Sequence, residues 1–148
     1  MRTSCRFAMA VHVLAVLAYK QGDRVSSEFL ASSVNTNPVI IRRLLLALQE
    51  ARLVETRKGP GFGSRLSCSP GRINLADVYR AVECDELFCL PRKKANHACP
   101  VGRSIASTMQ TVFSSAQQAL EQDLAKTNLM SFLKAIEACR TTEKGKGC

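Results

Sequence analysis

The stretch "SSEFLASSVNTNPVIIRRLLLALQEA", residues 26–51, leaves this chain few folds to choose from. Ser26 or Ser27 caps a short helix over "SEFLASSV", with Phe29, Leu30 and Val34 on its inner side. A polar turn of three or four residues follows. Asn37 is a good N-cap, and Pro38 at the first helical position gives up a backbone N–H that has no helical partner anyway. The spacing predicts a third helix from Pro38 to about Ala51, with Ile41, Leu44, Leu45 and Leu48 facing the core. Helix, polar turn and capped helix make a helix-turn-helix pattern.

The flanking segments extend it. Phe7, Val11, Leu14 and Leu17/Ala18 recur at helical spacing and predict an amphipathic first helix. The apolar run there follows two arginines, as in a signal peptide. His12 interrupts it, no small-residue cleavage site precedes Lys20, and the run is too short to span a bilayer. After the third helix, Leu53–Arg57 and Ser64–Cys68 read as strands broken by Pro60 and the glycines at 59, 61 and 63, giving a hairpin with a wide tip. A hairpin placed directly after a helix-turn-helix is a wing, with Lys58 and Arg65 flanking its tip and Arg57 adding charge. "INLADVYRAVE" predicts a fourth helix capped by Asn74, with Leu75, Val78, Tyr79 and Val82 inward. Pro100 opens a long helix reaching about Lys126. On it Ile105, Met109, Val112, Ala116 and Ala119 alternate by four and three, the spacing of a coiled-coil seam that meets a second chain; the alternative is a helix that only covers its own core. A last helix is apolar at Leu129, Phe132, Leu133 and Ile136. The expected organisation is a winged helix-turn-helix domain over 1–83, a cysteine loop over 84–99, dimerisation helices over 100–140 and a disordered tail over 141–148. The fold class is mainly α with one small β-hairpin.

Charge and cysteine usage bound the function. Residues 1–72 hold 11 Lys/Arg against 4 Asp/Glu, while residues 73–148 hold 10 against 8. Positive charge gathered in the half that carries the helix-turn-helix suits a polyanion, here double-stranded DNA. Seven cysteines are an odd set without framework spacing, which argues for a reducing compartment and a cytoplasmic protein. No Cys/His/Asp arrangement or phosphate loop supports an enzyme, and "GPGFG" lacks the strand–loop–helix setting of a phosphate cradle.

"LASSVNTNPVIIRRLLLALQEARLVETRKGPGFGSRLS…INLADVYRAVE" resembles the Rrf-two family of bacterial winged-helix transcriptional regulators, and the likeness covers almost the whole chain. "CPVG" at the head of the long helix looks like one subgroup, whose members are mostly described without a cluster. Arg52 stands where the family usually has glycine, and as a good helix former it is expected to leave the fold undisturbed. Phe62 and Ser64 alter the usual Gly-Gly-Tyr after the wing tip. The resemblance implies a homodimer, a repressor bound to a palindromic operator, with the third helix in the major groove and the wing at the minor groove. It carries DNA contacts onto Asn37, Val39, Ile40, Arg42, Arg43 and Lys58. The residues themselves add Arg65, and place Arg42 and Arg43 on the solvent side, where arginine bridges guanine O6 and N7 or pairs with phosphates.

The segment "ECDELFCLPRKKANHACPVG" joins the two halves. The family's cluster-binding members carry three cysteines in this loop, which implies Cys84, Cys89 and Cys99 as ligands of an iron–sulfur cluster, with His97 or an acid as fourth. Four residues separate the first pair, matching the family, and nine separate the second, a longer gap. Zinc would want closer pairs. The thiol reading rests on the residues alone. Cys99 heads a long helix with Arg92, Lys93, Lys94 and Arg103 nearby in sequence, an electropositive setting for a reactive cysteine, and its candidate resolving partners are Cys84, Cys89 or a cysteine of the second subunit. A regulator that senses a small ligand without either chemistry is the third reading.

Overall fold

A computed structural model describes residues 4–83 and 86–144. The chain runs α1 (Arg6–Tyr19), α2 (Ser27–Val34), α3 (Pro38–Glu50), β1 (Val54–Arg57), β2 (Gly63–Leu66), a 3-10 turn, α4 (Leu75–Val82), α5 (Pro100–Ala125) and α6 (Leu129–Lys144). α1, α3 and α4 pack around one core that holds Leu14, Leu17, Leu30, Ile41, Leu44 and Leu48, all nearly without solvent exposure. Burial of this size, about 1.5–3 kcal/mol for each Leu or Ile, outweighs any single polar contact on the surface.

The predicted caps form. Ser26 Oγ accepts from the Phe29 N–H at 3.1 Å, Asn37 Oδ1 from Val39 N–H at 2.8 Å, and Asn74 Oδ1 from Asp77 N–H at 2.9 Å. Between α2 and α3 the chain turns through Asn35, which takes the left-handed conformation (φ 60°) that ends many helices. β1 and β2 pair antiparallel, Val54 opposite Leu66 and Arg57 opposite Gly63. A bridge between Val25 and Ser64 adds a third edge, with both backbone bonds at 2.9 Å. Gly63 is required there: its φ is +124°, and a Cβ would stand 2.9 Å from the Val25 carbonyl oxygen.

Three expectations change. Phe29 is not an inner residue of α2. It is 48% exposed and lies under the Lys20 ammonium, 4.8 Å from its ring centroid, while Leu30 and Ala31 fill the buried side. Residues 141–144, expected in a disordered tail, continue α6, where the Thr141 and Thr142 hydroxyls both donate to the Ala138 carbonyl. Residues 145–148 lie outside the described residues.

Arg52 is not accommodated as a helix former. α3 closes at Ala51, and Arg52 takes φ +59° as the first residue beyond it. Its N–H bonds the Gln49 carbonyl and the Leu53 N–H bonds that of Leu48, both at 2.9 Å, the paired bonds of a Schellman end. The left-handed turn costs an arginine about 1 kcal/mol, and a glycine at this position adopts it without that cost. Arg52→Gly is expected to stabilise the protein by about 1 kcal/mol and raise Tm by about 3 °C in thermal unfolding.

Candidate nucleic-acid interface and cysteine loop

Opposite its buried face, α3 presents Val39, Ile40, Arg42, Arg43 and Leu46 to solvent. Val39, Arg42, Arg43 and Leu46 share one side because residues three and four apart align on a helix. Asn37 is exposed at the head of this surface, its carbonyl oxygen spent on capping and its amide N–H groups directed by that bond. The wing stands beside α3. A cleft of about 490 Å³ separates them, lined by Arg42, Leu45, Leu46, Arg57, Lys58 and Phe62. Helix, cleft and wing share one face that carries Arg42, Arg57 and Lys58, and cations gathered on one face attract a polyanion.

Two of the expected contact arginines are engaged within the chain. Arg42 pairs with Glu28 through Nη2, and its Nε donates to Ser27 Oγ at 3.2 Å. Arg65 pairs with Glu55 through Nε. Glu55 is also met by Arg24 Nη2 at 3.3 Å, and Arg24 Nη1 donates to the Gly63 carbonyl at 3.2 Å, so Arg24 ties the turn after α1 to both wing strands. Hydrogen bonding to the charged form favours it. Glu28 is held below the usual carboxylate range by a backbone hydrogen bond and by Arg42, and Glu55 by Arg65. Arg43 and Lys58 are exposed, and among the described residues neither forms a salt bridge.

Glu28, Arg24 and Glu55 were not singled out from sequence, and Ser27 was named only as a candidate cap. A signal exists for one of them: Glu28 is the only acid between Arg24 and Gln49, so any exposed cation on the next helix has one mate to find.

α5 has no buried residue in the single chain. Along the expected seam, Ile105, Val112 and Ala119 are exposed, with Val112 at 53%, and Met109 and Ala116 are half-covered. The C-terminal half of α5 is latched to α4: Arg80 Nε donates to Glu121 Oε2 at 2.7 Å, and Gln117 Nε2, which also donates to Glu121 Oε1 on its own helix at 3.0 Å, reaches the Tyr79 hydroxyl at 3.5 Å.

The cysteine loop is fastened at both ends. Glu83 Oε1 accepts from the Phe7 N–H at 3.1 Å and from Ser4 Oγ at 2.8 Å, joining its start to the head of α1. Phe88 stacks on Phe113 of α5 with ring centroids 5.2 Å apart. At the far end, Cys99 is the N-cap of α5 and makes no side-chain cap bond. Arg103 Nε donates to the His97 carbonyl at 3.3 Å. A Cβ on Gly102 would lie 2.2 Å from the Asn96 carbonyl oxygen, so the glycine of "CPVG" lets the loop backbone cross the first turn of α5. Cys89, His97 and Cys99 are all exposed. Cys84 lies outside the described residues. Among the described residues no three His, Cys, Asp or Glu side chains converge as a metal site.

Three helices, a two-stranded wing and a basic face beside it define a winged-helix DNA-binding protein. The chain belongs to the Rrf2 family, described as iron-dependent transcriptional regulators, whose model matches residues 3–135. It is 38% identical over 131 residues to "Putative HTH-type transcriptional regulator YwnA" of Bacillus subtilis (strain 168), covering 88% of this chain and 96% of that protein. It shares its fold with T. potens IscR (TM-score 0.67, 20% identity, 94% of this chain and 90% of that one). It also shares it with the oxidized form of Staphylococcus aureus CymR (TM-score 0.60, 21% identity, 90% and 96%). The protein is therefore a DNA-binding transcriptional regulator and not an enzyme. No helix among the described residues is long and apolar enough to cross a membrane.

Arg42→Ala and Arg43→Ala are expected to leave thermal stability unchanged and to weaken operator binding by roughly 1–3 kcal/mol each. Lys58→Ala is expected to weaken binding to all sequences alike and to lower the slope of log K against log salt by about 1. Titrations of labelled duplex at several salt concentrations check both.

Proposed function

We propose that the protein is a homodimeric repressor whose two winged heads bind a palindromic operator, and that oxidation of loop thiols releases it. α3 enters the major groove with Asn37, Val39, Ile40, Arg42 and Arg43, while Lys58 and Arg65 of the wing meet the backbone and minor groove. The uncovered seam of α5 carries the dimer reading. A helix of 26 residues, about 39 Å long, exposes Ile105 and Val112 on one stripe, and a second copy of that stripe covers both. Pairing two heads through α5 sets the spacing of their α3 helices near one turn of DNA, so a small change of angle at the base of α5 costs affinity at both half-sites.

That base is where the cysteines lie. Cys99 caps α5 in a loop that also carries Arg92, Lys93 and Lys94, and Cys89 follows the Phe88 that stacks on α5. Both thiols are open to a solvent oxidant. Peroxide oxidises them and is reduced to water, and the modified loop alters how α5 leaves the head. The relative described in an oxidized form, CymR of S. aureus, is in keeping with a redox-responsive member of this fold. The cluster reading draws on the family's description as iron-dependent and assigns Cys84, Cys89 and Cys99 as ligands.

Val112→Glu buries a charge without a mate in the seam. Sedimentation is expected to show a monomer, and that monomer to bind palindromic duplex weakly. An intact Val112→Glu dimer means that the interface lies elsewhere.

For the sensor, anaerobically purified protein is expected to be colourless, to leave DNA on addition of peroxide, and to return with a thiol reductant. Cys99→Ser is expected to abolish the response. A coloured protein that loses its visible spectrum in Cys84→Ser, Cys89→Ser and Cys99→Ser alike establishes the cluster instead. A triple variant that responds to oxidants as the parent does removes both.

A further inference from the structure

Arg42 is gripped along one edge only. Its Nε donates to Ser27 Oγ at 3.2 Å and its Nη2 to Glu28 Oε1. Ser27 Oγ donates in turn to Glu28 Oε2 at 3.2 Å, so hydroxyl and carboxylate are themselves joined. Both belong to the first turn of α2, whose start is fixed by the Ser26 cap. A guanidinium carries five N–H donors in a rigid planar fork. The grip uses the Nε–Nη2 edge. The remaining parallel pair of N–H groups, one on each Nη, is the end that bridges guanine O6 and N7 in a bidentate contact. α2 therefore holds the part of Arg42 that a base does not need.

Electrostatics point the same way. Glu28 is exposed beside Arg42, and on a surface that approaches DNA a negative charge weakens attraction to any sequence. A carboxylate there lowers non-specific binding while it orients the one side chain best placed to discriminate bases. On the wing, Glu55 stands to Arg65 much as Glu28 stands to Arg42, and is itself held by Arg24.

We propose that Glu28 is a positioning residue for sequence readout: with Ser27 it fixes the side-on edge of Arg42, so that the end-on edge of this arginine is presented as a preset donor pair to a guanine. This rests on the reading of Arg42 as a base contact. In a flexible arginine the same contact has to order the side chain when it forms, and the fork pairs as readily with a phosphate.

The test uses the full chain. Binding sites are selected from a random duplex pool, and the guanine whose preference disappears in Arg42→Ala is identified. Discrimination between guanine and adenine at that position is then measured for the parent, Glu28→Ala, Glu28→Gln and the double variant with Arg42→Ala. Thermal unfolding serves as the folding control. Expected is a loss of discrimination of about tenfold in Glu28→Ala, with equal or tighter binding to non-specific duplex. Glu28→Gln, which keeps the shape and one acceptor, is expected to fall between it and the parent, and it serves alone if the alanine variant unfolds. Neither change at Glu28 is expected to alter discrimination further once Arg42 is alanine. If the Glu28 variants bind every sequence more tightly with the guanine preference intact, Glu28 merely repels phosphates and the proposal fails. If they change base preference without Arg42, Glu28 reads a base itself and the proposal also fails. If Arg42→Ala erases no preference, the base-contact reading of Arg42 is what has fallen.

Discussion

The chain reversal at Ala51–Leu53 is the constraint on which the basic surface of α3 and the wing depends. Leu48 in the last turn of α3 and Leu53 just beyond it are both buried, and the Leu53 N–H closes onto the Leu48 carbonyl. That bond and that burial fix where the wing departs from the helix. Everything the surface needs follows from this angle: the width of the cleft, the reach of Lys58, and the approach of β2 to Val25 that only a glycine at 63 permits. An arginine in the left-handed conformation is tolerated at 52 because the burial of two leucines outweighs a local strain of about 1 kcal/mol.

Electrostatics add a second layer. The basic half is not a uniform field of cations. Arg42 and Arg65 are each held by one carboxylate, whereas Arg43 and Lys58 form no salt bridge among the described residues. Exposed ion pairs contribute little to stability, typically 0–1 kcal/mol, so these acids matter more for where the guanidinium groups point than for whether the fold survives. The surface thus divides into cations suited to general attraction and cations suited to oriented contact.

Much of this was legible in the sequence because it is local. The inner face of α3 follows from a 3.6-residue period, and its start from Asn37-Pro38, so helix and cap appear where expected. The wing was legible from its glycines. What escaped is decided at longer range. Phe29 has the composition of a core residue, but α2 is two turns long and Leu30 and Ala31 already fill its buried side. Arg52 has high helix propensity, yet its conformation is set by where Leu53 must go. The pairing of Arg42 with Glu28 spans two helices, and no periodicity within either reveals it. The cysteine loop was recognisable as a junction, but its fastening by Phe88 on Phe113 and by the Asn96–Gly102 crossing belongs to the tertiary structure alone.

Leu129, at the start of α6, is fully buried in the same core as Leu14 and Leu44, and its N–H bonds the Ile73 carbonyl at 2.7 Å. The polypeptide between Val82 and Leu129, loop and long helix together, is therefore a closed excursion that leaves the head and returns to it. A protease that cuts the exposed loop severs one covalent path without separating the pieces, since α6 and the second half of α5 stay packed on the domain they left. Joining the two ends of such an excursion through a folded core also means that the long helix is not a tail that frays independently. Its C-terminal half is held to α4 by Arg80 and Glu121, so the opening of that half is coupled to the head's.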